Sequence, residues 1–215
     1  MDPANNLVTD IQPPPDIRRR LEAAVLSVFS RKDFHRVHIR DIAQQAGVGF
    51  GTIYKYYGSK EKLLFAFVGE WLGEFAERIL DHLQGLEDPK EKLRKVMWVM
   101  LDYYERHPDV ARILLLSVPH KTWMADPTYR QTLLYDVFLG VVRQSQAEGV
   151  LNARVRPGML IDALDGLVHR AVSMWIYHGQ IRGLTEQAGF LFEILWHGVS
   201  NPDRPLHREF KEVAP

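Results

Sequence analysis

Apolar residues recur along this chain at steps of three and four, and no stretch alternates apolar and polar positions over the length of a strand. Ile17, Leu21, Val25, Val28 and Phe29 mark a first amphipathic helix. Ile39, Ile42, Ala43 and Ala46 mark a short second one that Gly47 stops, and a third runs from about Phe50 to Tyr56, ahead of Gly58. Ser59 is placed to cap a long fourth helix, whose stripe includes Leu63, Phe67, Trp71, Phe75, Ile79 and Leu83. Beyond Gly85 and Pro89, further helices are predicted at about 90–106, 109–118, 128–148, 157–178 and 185–199, with glycine and proline between them. The pattern predicts an all-α fold of about nine helices. Residues 1–15 hold four of the 12 prolines, and they and residues 201–215 read as flexible tails.

Composition changes this picture little. With 46% hydrophobic and 25% charged residues, the chain of 215 has ordinary globular character. The absence of cysteine excludes disulfides, zinc–thiolate sites and cysteine nucleophiles. No apolar run approaches the roughly 18 residues of a membrane helix, and the N-terminus has no secretory pattern, so a cytoplasmic protein without a membrane partner is expected. Charge changes it more. The net charge is zero, yet between Asp16 and Lys62 ten basic side chains meet five acidic ones, a surplus of five that the remainder offsets. One end of the molecule is therefore suited to a polyanion.

Chemistry concentrates in that basic end, from Ile39 to Tyr57. Two short helices meet at a turn around Gly47, with Val48 filling the angle between them. The second opens with Gly49, Phe50, Gly51 and Thr52, so its first amides are open to a phosphate. Thr52, Tyr54, Lys55 and Tyr56 offer hydroxyls, charge and aromatic surface on the outward face, groups suited to a major groove. Tyr57 falls in step with Ile53 and Leu64 and reads as core.

The run Asp41-Ile42-Ala43, Ala46-Gly47-Val48, Gly51-Thr52-Ile53-Tyr54, Tyr57 and Ser59-Lys60-Glu61-Lys62-Leu63-Leu64 closely resembles the N-terminal signature of the TetR family of repressors. The resemblance covers about 47 residues and implies that the third helix is a recognition helix on double-stranded operator DNA. It implies that Phe50, Gly51, Thr52, Tyr54, Lys55, Tyr56 and Lys60 face that DNA, Lys60 at a phosphate, with Arg18 among the basic groups near the backbone. Two positions depart from the family pattern. His38 stands where Thr or Ser usually caps the second helix, and Phe50 replaces a small or polar residue. The expected domains are a DNA-binding head at 16–62 and a helical body at 63–200.

The resemblance implies a ligand pocket and a dimer interface in that body. Trp98, Tyr103, Trp123, Tyr135 and Phe138 are candidates to line a pocket for a small apolar or aromatic effector, and His169 joins them from an apolar stretch. Leu164, Leu167, Ala171, Trp175, Phe190, Leu191, Ile194 and Leu195 are candidates for a homodimer interface built from the last two helices. No cofactor or metal is expected, because His35 and His38 straddle a loop without a carboxylate companion and His169 and His178, nine apart, fall on roughly opposite sectors of one helix. No catalytic motif is present, so an enzyme is not expected. Two alternatives stay open. One is a ligand-independent DNA-binding or architectural factor of this fold, the other a helical small-molecule binder with a vestigial helix-turn-helix.

Overall fold

A computed structural model describes residues 12–119, 121–122 and 132–203. Most of both expected tails, and Trp123, lie outside those residues. Nine α-helices are present among them, and no strand beyond a single antiparallel bridge between Leu151 and Ser200. They are α1 (Pro15–Phe29), α2 (Ile39–Ala46), α3 (Phe50–Tyr57), α4 (Lys60–Leu83), α5 (Pro89–Arg106), α6 (Pro108–Arg112), α7 (Thr132–Ala147), α8 (Pro157–Tyr177) and α9 (Ala188–Val199). The helix expected at 109–118 is split, since α6 gives way to a π-helical segment, Ile113–Ser117. The one expected from 185 begins with a 3-10 turn, Thr185–Gln187.

Local chemistry sets the boundaries. Pro15 and Pro89 sit in the first turns of α1 and α5, where a missing N–H costs nothing. The Ser59 hydroxyl accepts from the Lys62 amide at 3.1 Å and starts α4, and the Asp88 carboxylate accepts from the Glu91 amide at 2.9 Å and starts α5. One continuous core runs from α1 to α9.

The long α4 joins head to body. At Lys60 it adjoins the recognition region, and its last residue, Leu83, lines the body cavity, about 35 Å away at 1.5 Å per residue. Side chains fasten it on both sides. Trp71 Nε1 donates to Glu22 of α1 at 3.0 Å, and Arg18 of α1 pairs with Glu70. On the body side, the Tyr103 hydroxyl donates to the Trp71 carbonyl at 3.0 Å. Arg78 pairs with the buried Asp102 of α5, which also accepts from Arg106 Nε at 2.9 Å. α1, α4 and α5 are thereby tied into one unit.

Candidate nucleic-acid interface and body cavity

The turn between α2 and α3 is built around Gly47. Its φ of 63° lies in the left-handed region, where a side chain would be strained. The amides of Gly47 and Val48 donate back to the Gln44 and Ala43 carbonyls at 3.2 and 3.0 Å, which closes α2. Arg20 donates to the Ala46 and Gly47 carbonyls at 3.3 and 3.2 Å, fastening the turn to α1. His38 is exposed at the N-cap of α2, and its backbone amide donates to Asp41 at 3.4 Å. The Lys32 ammonium 3.0 Å away, and then that amide, hold the Asp41 carboxyl below the usual carboxylate range.

Ile53 roots α3, being fully buried. Tyr57, one turn on, packs on Phe67 with ring centroids 6.0 Å apart, and burial pushes its hydroxyl pKa up. The rest of the helix faces solvent. Phe50 and Tyr54 are 56% and 51% exposed and meet edge to face at 6.4 Å. Lys55 is exposed with its ammonium 5.1 Å from the Tyr56 ring centre, and Thr52 is half-exposed. A Cβ on Gly51 would meet no atom within 4 Å, so packing inside the chain gives no reason for glycine there.

Two candidates for phosphate contact are engaged within the chain. Lys60 Nζ donates to the carbonyls of Phe34 and Val37 at 2.9 and 3.1 Å and lies 4.3 Å from the Phe34 ring centre, which leaves one of its three N–H groups uncommitted. Arg18, paired with Glu70, stands 5.6 Å from the centre of the Phe67 ring. Both brace α4 against the head.

In the body, an apolar cavity of about 20 Å³, room for one water, lies among α4, α5, α7, α8 and α9. Its wall is mostly aliphatic, including Val96, Val142, Leu151, Ile161 and Val199. Of the candidate pocket residues that are described, Phe138 alone lines it, and Trp98, Tyr103, Tyr135 and His169 lie elsewhere; Trp123 is outside the described residues. Trp98 lies outside between His82 and Lys95, with centroid distances of 6.3 and 4.8 Å. Tyr103 is buried between α4 and α5, packed on Phe75 at 4.7 Å. Tyr135 is 45% exposed, with its hydroxyl near Gly158 in the first turn of α8. His169 is exposed on α8. The Tyr103 hydroxyl goes to the Trp71 carbonyl, the Trp98 ring receives the Lys95 ammonium, and Tyr135 meets solvent, so these amphipathic rings find partners outside a dry cavity.

The dimer candidates also divide. Leu164 and Leu195 turn inward and line the cavity, and Trp175 is buried with its Nε1 donating to the Arg182 carbonyl at 2.7 Å. Leu167, Ala171 and Leu191 line an open groove between α8 and α9 with Arg170 and Met174, and one edge of Trp175 reaches its floor. Beside it Phe190 and Ile194 are 73% and 48% exposed. Lys92, which no sequence signal singled out, is the one charged residue in the cavity wall among the described residues.

A short helix pair with an outward recognition surface, rooted on a larger helical body, defines the class of helix-turn-helix DNA-binding regulators. Residues 21–67 match the profile of the bacterial regulatory proteins of the tetR family. The chain is 24% identical over 191 residues to the fatty acid metabolism regulator protein of Bacillus subtilis, across 87% of this chain and 97% of that one. It is 30% identical over 139 residues to the transcriptional repressor NicS of Pseudomonas putida, across 63% and 66% of the two chains. Among solved structures it is similar to the fatty acid degradation regulator FadR of Bacillus halodurans, with a TM-score of 0.76 at 19% identity over 87% of this chain and 98% of that one. It is also similar to FadR of Bacillus subtilis in complex with stearoyl-CoA, at 0.73 and 22%, over 84% and 98%. Residues 21–67 therefore carry the tetR-family DNA-binding segment, and the chain is a TetR-like DNA-binding transcriptional regulator.

Proposed function

We propose that this regulator is a cytoplasmic homodimeric repressor that reads a palindromic operator through α3 and releases it when a small apolar effector enters the body cavity. In this reading residues 16–62 are the DNA-binding head and residues 63–200 the effector-binding and dimerisation body. Phe50, Gly51, Thr52, Tyr54, Lys55 and Tyr56 meet the major groove and its rims. His38 and the last N–H of Lys60 meet phosphates, while Arg18 acts by bracing α4. The observation that carries the reading is the solvent-facing side of α3. Two large exposed rings and a bare Gly51 have no internal packing role there, and Gly51 alone costs a helix about 1 kcal/mol relative to alanine.

One eight-residue helix spans too few base pairs for an operator, so a two-fold pair is required, with half-sites one turn (about 34–36 Å) or a multiple apart. Leu167, Ala171, Leu191, Phe190 and Ile194 form the apolar face on which a second copy would pack. The aliphatic wall of the cavity suits an alkyl chain. The fatty acid metabolism regulator and the stearoyl-CoA complex among its relatives support that effector class. Leu83 brings α4 to the cavity, and α4 is tied to α1, so displacement of that end would re-aim the heads. Coupling of this kind is typically about 1–3 kcal/mol.

The test is selection of operators from random DNA by the purified protein, followed by titration of the winner at two salt concentrations. A palindromic winner bound by a dimer, with affinity falling steeply as salt rises, is the expected result. Enrichment of no sequence would overturn the specific-repressor reading. The small size of the cavity favours one alternative, a ligand-independent DNA-binding factor, and an operator affinity that no apolar ligand changes would establish it.

A further inference from the structure

We infer that the effector is an apolar chain ending in an anionic group, and that Lys92 binds that group. The inference rests on the effector reading above and deepens it. Twelve of the thirteen described residues around the cavity are apolar, and Lys92 is the exception. It stands in the first turn of α5 and is half-buried.

Its basic neighbours on the same two turns are all occupied. Lys90 lies 5.3 Å from the centre of the Trp196 ring, and Lys95 lies 4.8 Å from that of Trp98. Arg94 pairs with Glu91 and Glu193 and covers Phe192. Among the described residues, Lys92 alone of these four has no carboxylate, carbonyl or ring against its ammonium. Its four methylenes can line the wall while the charge sits at the rim. An ammonium held at the edge of an apolar wall with no partner of its own is free to pair with an anion whose chain lies against that wall. The ligand that satisfies wall and rim together is an amphiphile with its chain inside and its anion at Lys92.

The cavity must widen to admit such a chain. The wall best able to move is α7, which packs chiefly on α8, whereas α4 and α5 are cross-tied by Tyr103 and by the Arg78–Asp102–Arg106 cluster. Two sources share the ligand chemistry. One is a free fatty acid with its carboxylate, the other a fatty acyl-CoA with its phosphates.

The experiment measures binding of dodecanoate, dodecanoyl-CoA and dodecan-1-ol, below their aggregation limits, to the full-length protein and to Lys92→Met and Lys92→Arg. Tryptophan fluorescence and calorimetry report binding without any requirement for DNA. The expected result is that an anionic ligand binds roughly tenfold tighter than the alcohol. Lys92→Met should remove that preference with no change in alcohol affinity, and Lys92→Arg should keep it. Which of the two anionic ligands binds more tightly identifies the source. Unchanged melting temperatures exclude a folding artefact. Equal affinity for acid, ester and alcohol in the unsubstituted protein overturns the role of Lys92 and leaves the effector reading intact, as does a preference that survives Lys92→Met. Failure of all three ligands to bind overturns the effector cavity itself.

Discussion

Tyr54 and Lys60 are six residues apart and were both candidates for DNA contact, but they are held in different ways. Tyr54 touches little besides Phe50, so Tyr54→Ala should leave the melting temperature within the ordinary range for surface substitutions. Its effect belongs to the operator complex, where loss of a base contact weakens binding by about 1–3 kcal/mol, readable by fluorescence anisotropy. An unchanged operator affinity would remove Tyr54 from the interface. Lys60 is built into the fold through two carbonyls and a ring, so Lys60→Ala should lower thermal stability by about 1–2 kcal/mol even without DNA. Lys55, exposed and free of carboxylates, is expected to act through charge alone. Lys55→Ala should reduce the slope of log affinity against log salt by about one while changing specificity little.

Where α1, α4 and α5 meet, Trp71 is the common member, donating through its indole to Glu22 and accepting at its carbonyl from Tyr103. Burial, and then the nearby Glu74 carboxylate, raise the pKa of the Tyr103 hydroxyl well above its ordinary value, so it remains a donor throughout the neutral range. A pKa raised on folding favours the protonated form. The stabilisation is therefore complete below the unfolded pKa of about 10 and is lost as pH climbs from there toward the raised folded value. Thermal unfolding from pH 8 to 11 should show stability falling on the alkaline side. Tyr103→Phe should cost about 1 kcal/mol at neutral pH and flatten that fall. An equally steep alkaline loss in the variant would assign it to other groups.

For the molecule as a whole, assembly decides whether the head can work. Phe190→Asp places a charge on a well-exposed ring beside the α8–α9 groove without touching the protomer core. Sedimentation should then show a monomer with unchanged helix content by circular dichroism, and operator affinity should fall with it. A variant that remains dimeric would move the interface to another surface. Salt acts at the same level. The basic surplus lies between Asp16 and Lys62 while the rest of the chain carries the compensating acid, so salt should weaken DNA binding far more than it alters folding.

Helix existence and order were legible in the chain itself, because the steps of three and four from Ile17 to Val199 reflect burial on one side of each helix, and the cap at Ser59 and the break at Gly85 and Pro89 mark where helices begin. The recognition turn was legible for the same local reason. Gly47, with its left-handed backbone, and the small Ala43 and Ala46 report their geometry within a few residues. The side of a helix that meets its neighbours in the body was not legible. Leu164 and Leu167 follow one periodicity, yet one enters a cavity and the other an open groove, and only the packing of α8 against α7 and α9 separates them. Lys92 escaped notice for a related reason. In sequence it is one of four basic residues in two turns, and what sets it apart is that Lys90 and Arg94 meet Trp196, Phe192 and Glu193, groups distant along the chain. Periodicity and capping are local and so are written in adjacent residues, whereas pairing and enclosure depend on contacts that exist only once the helices have packed.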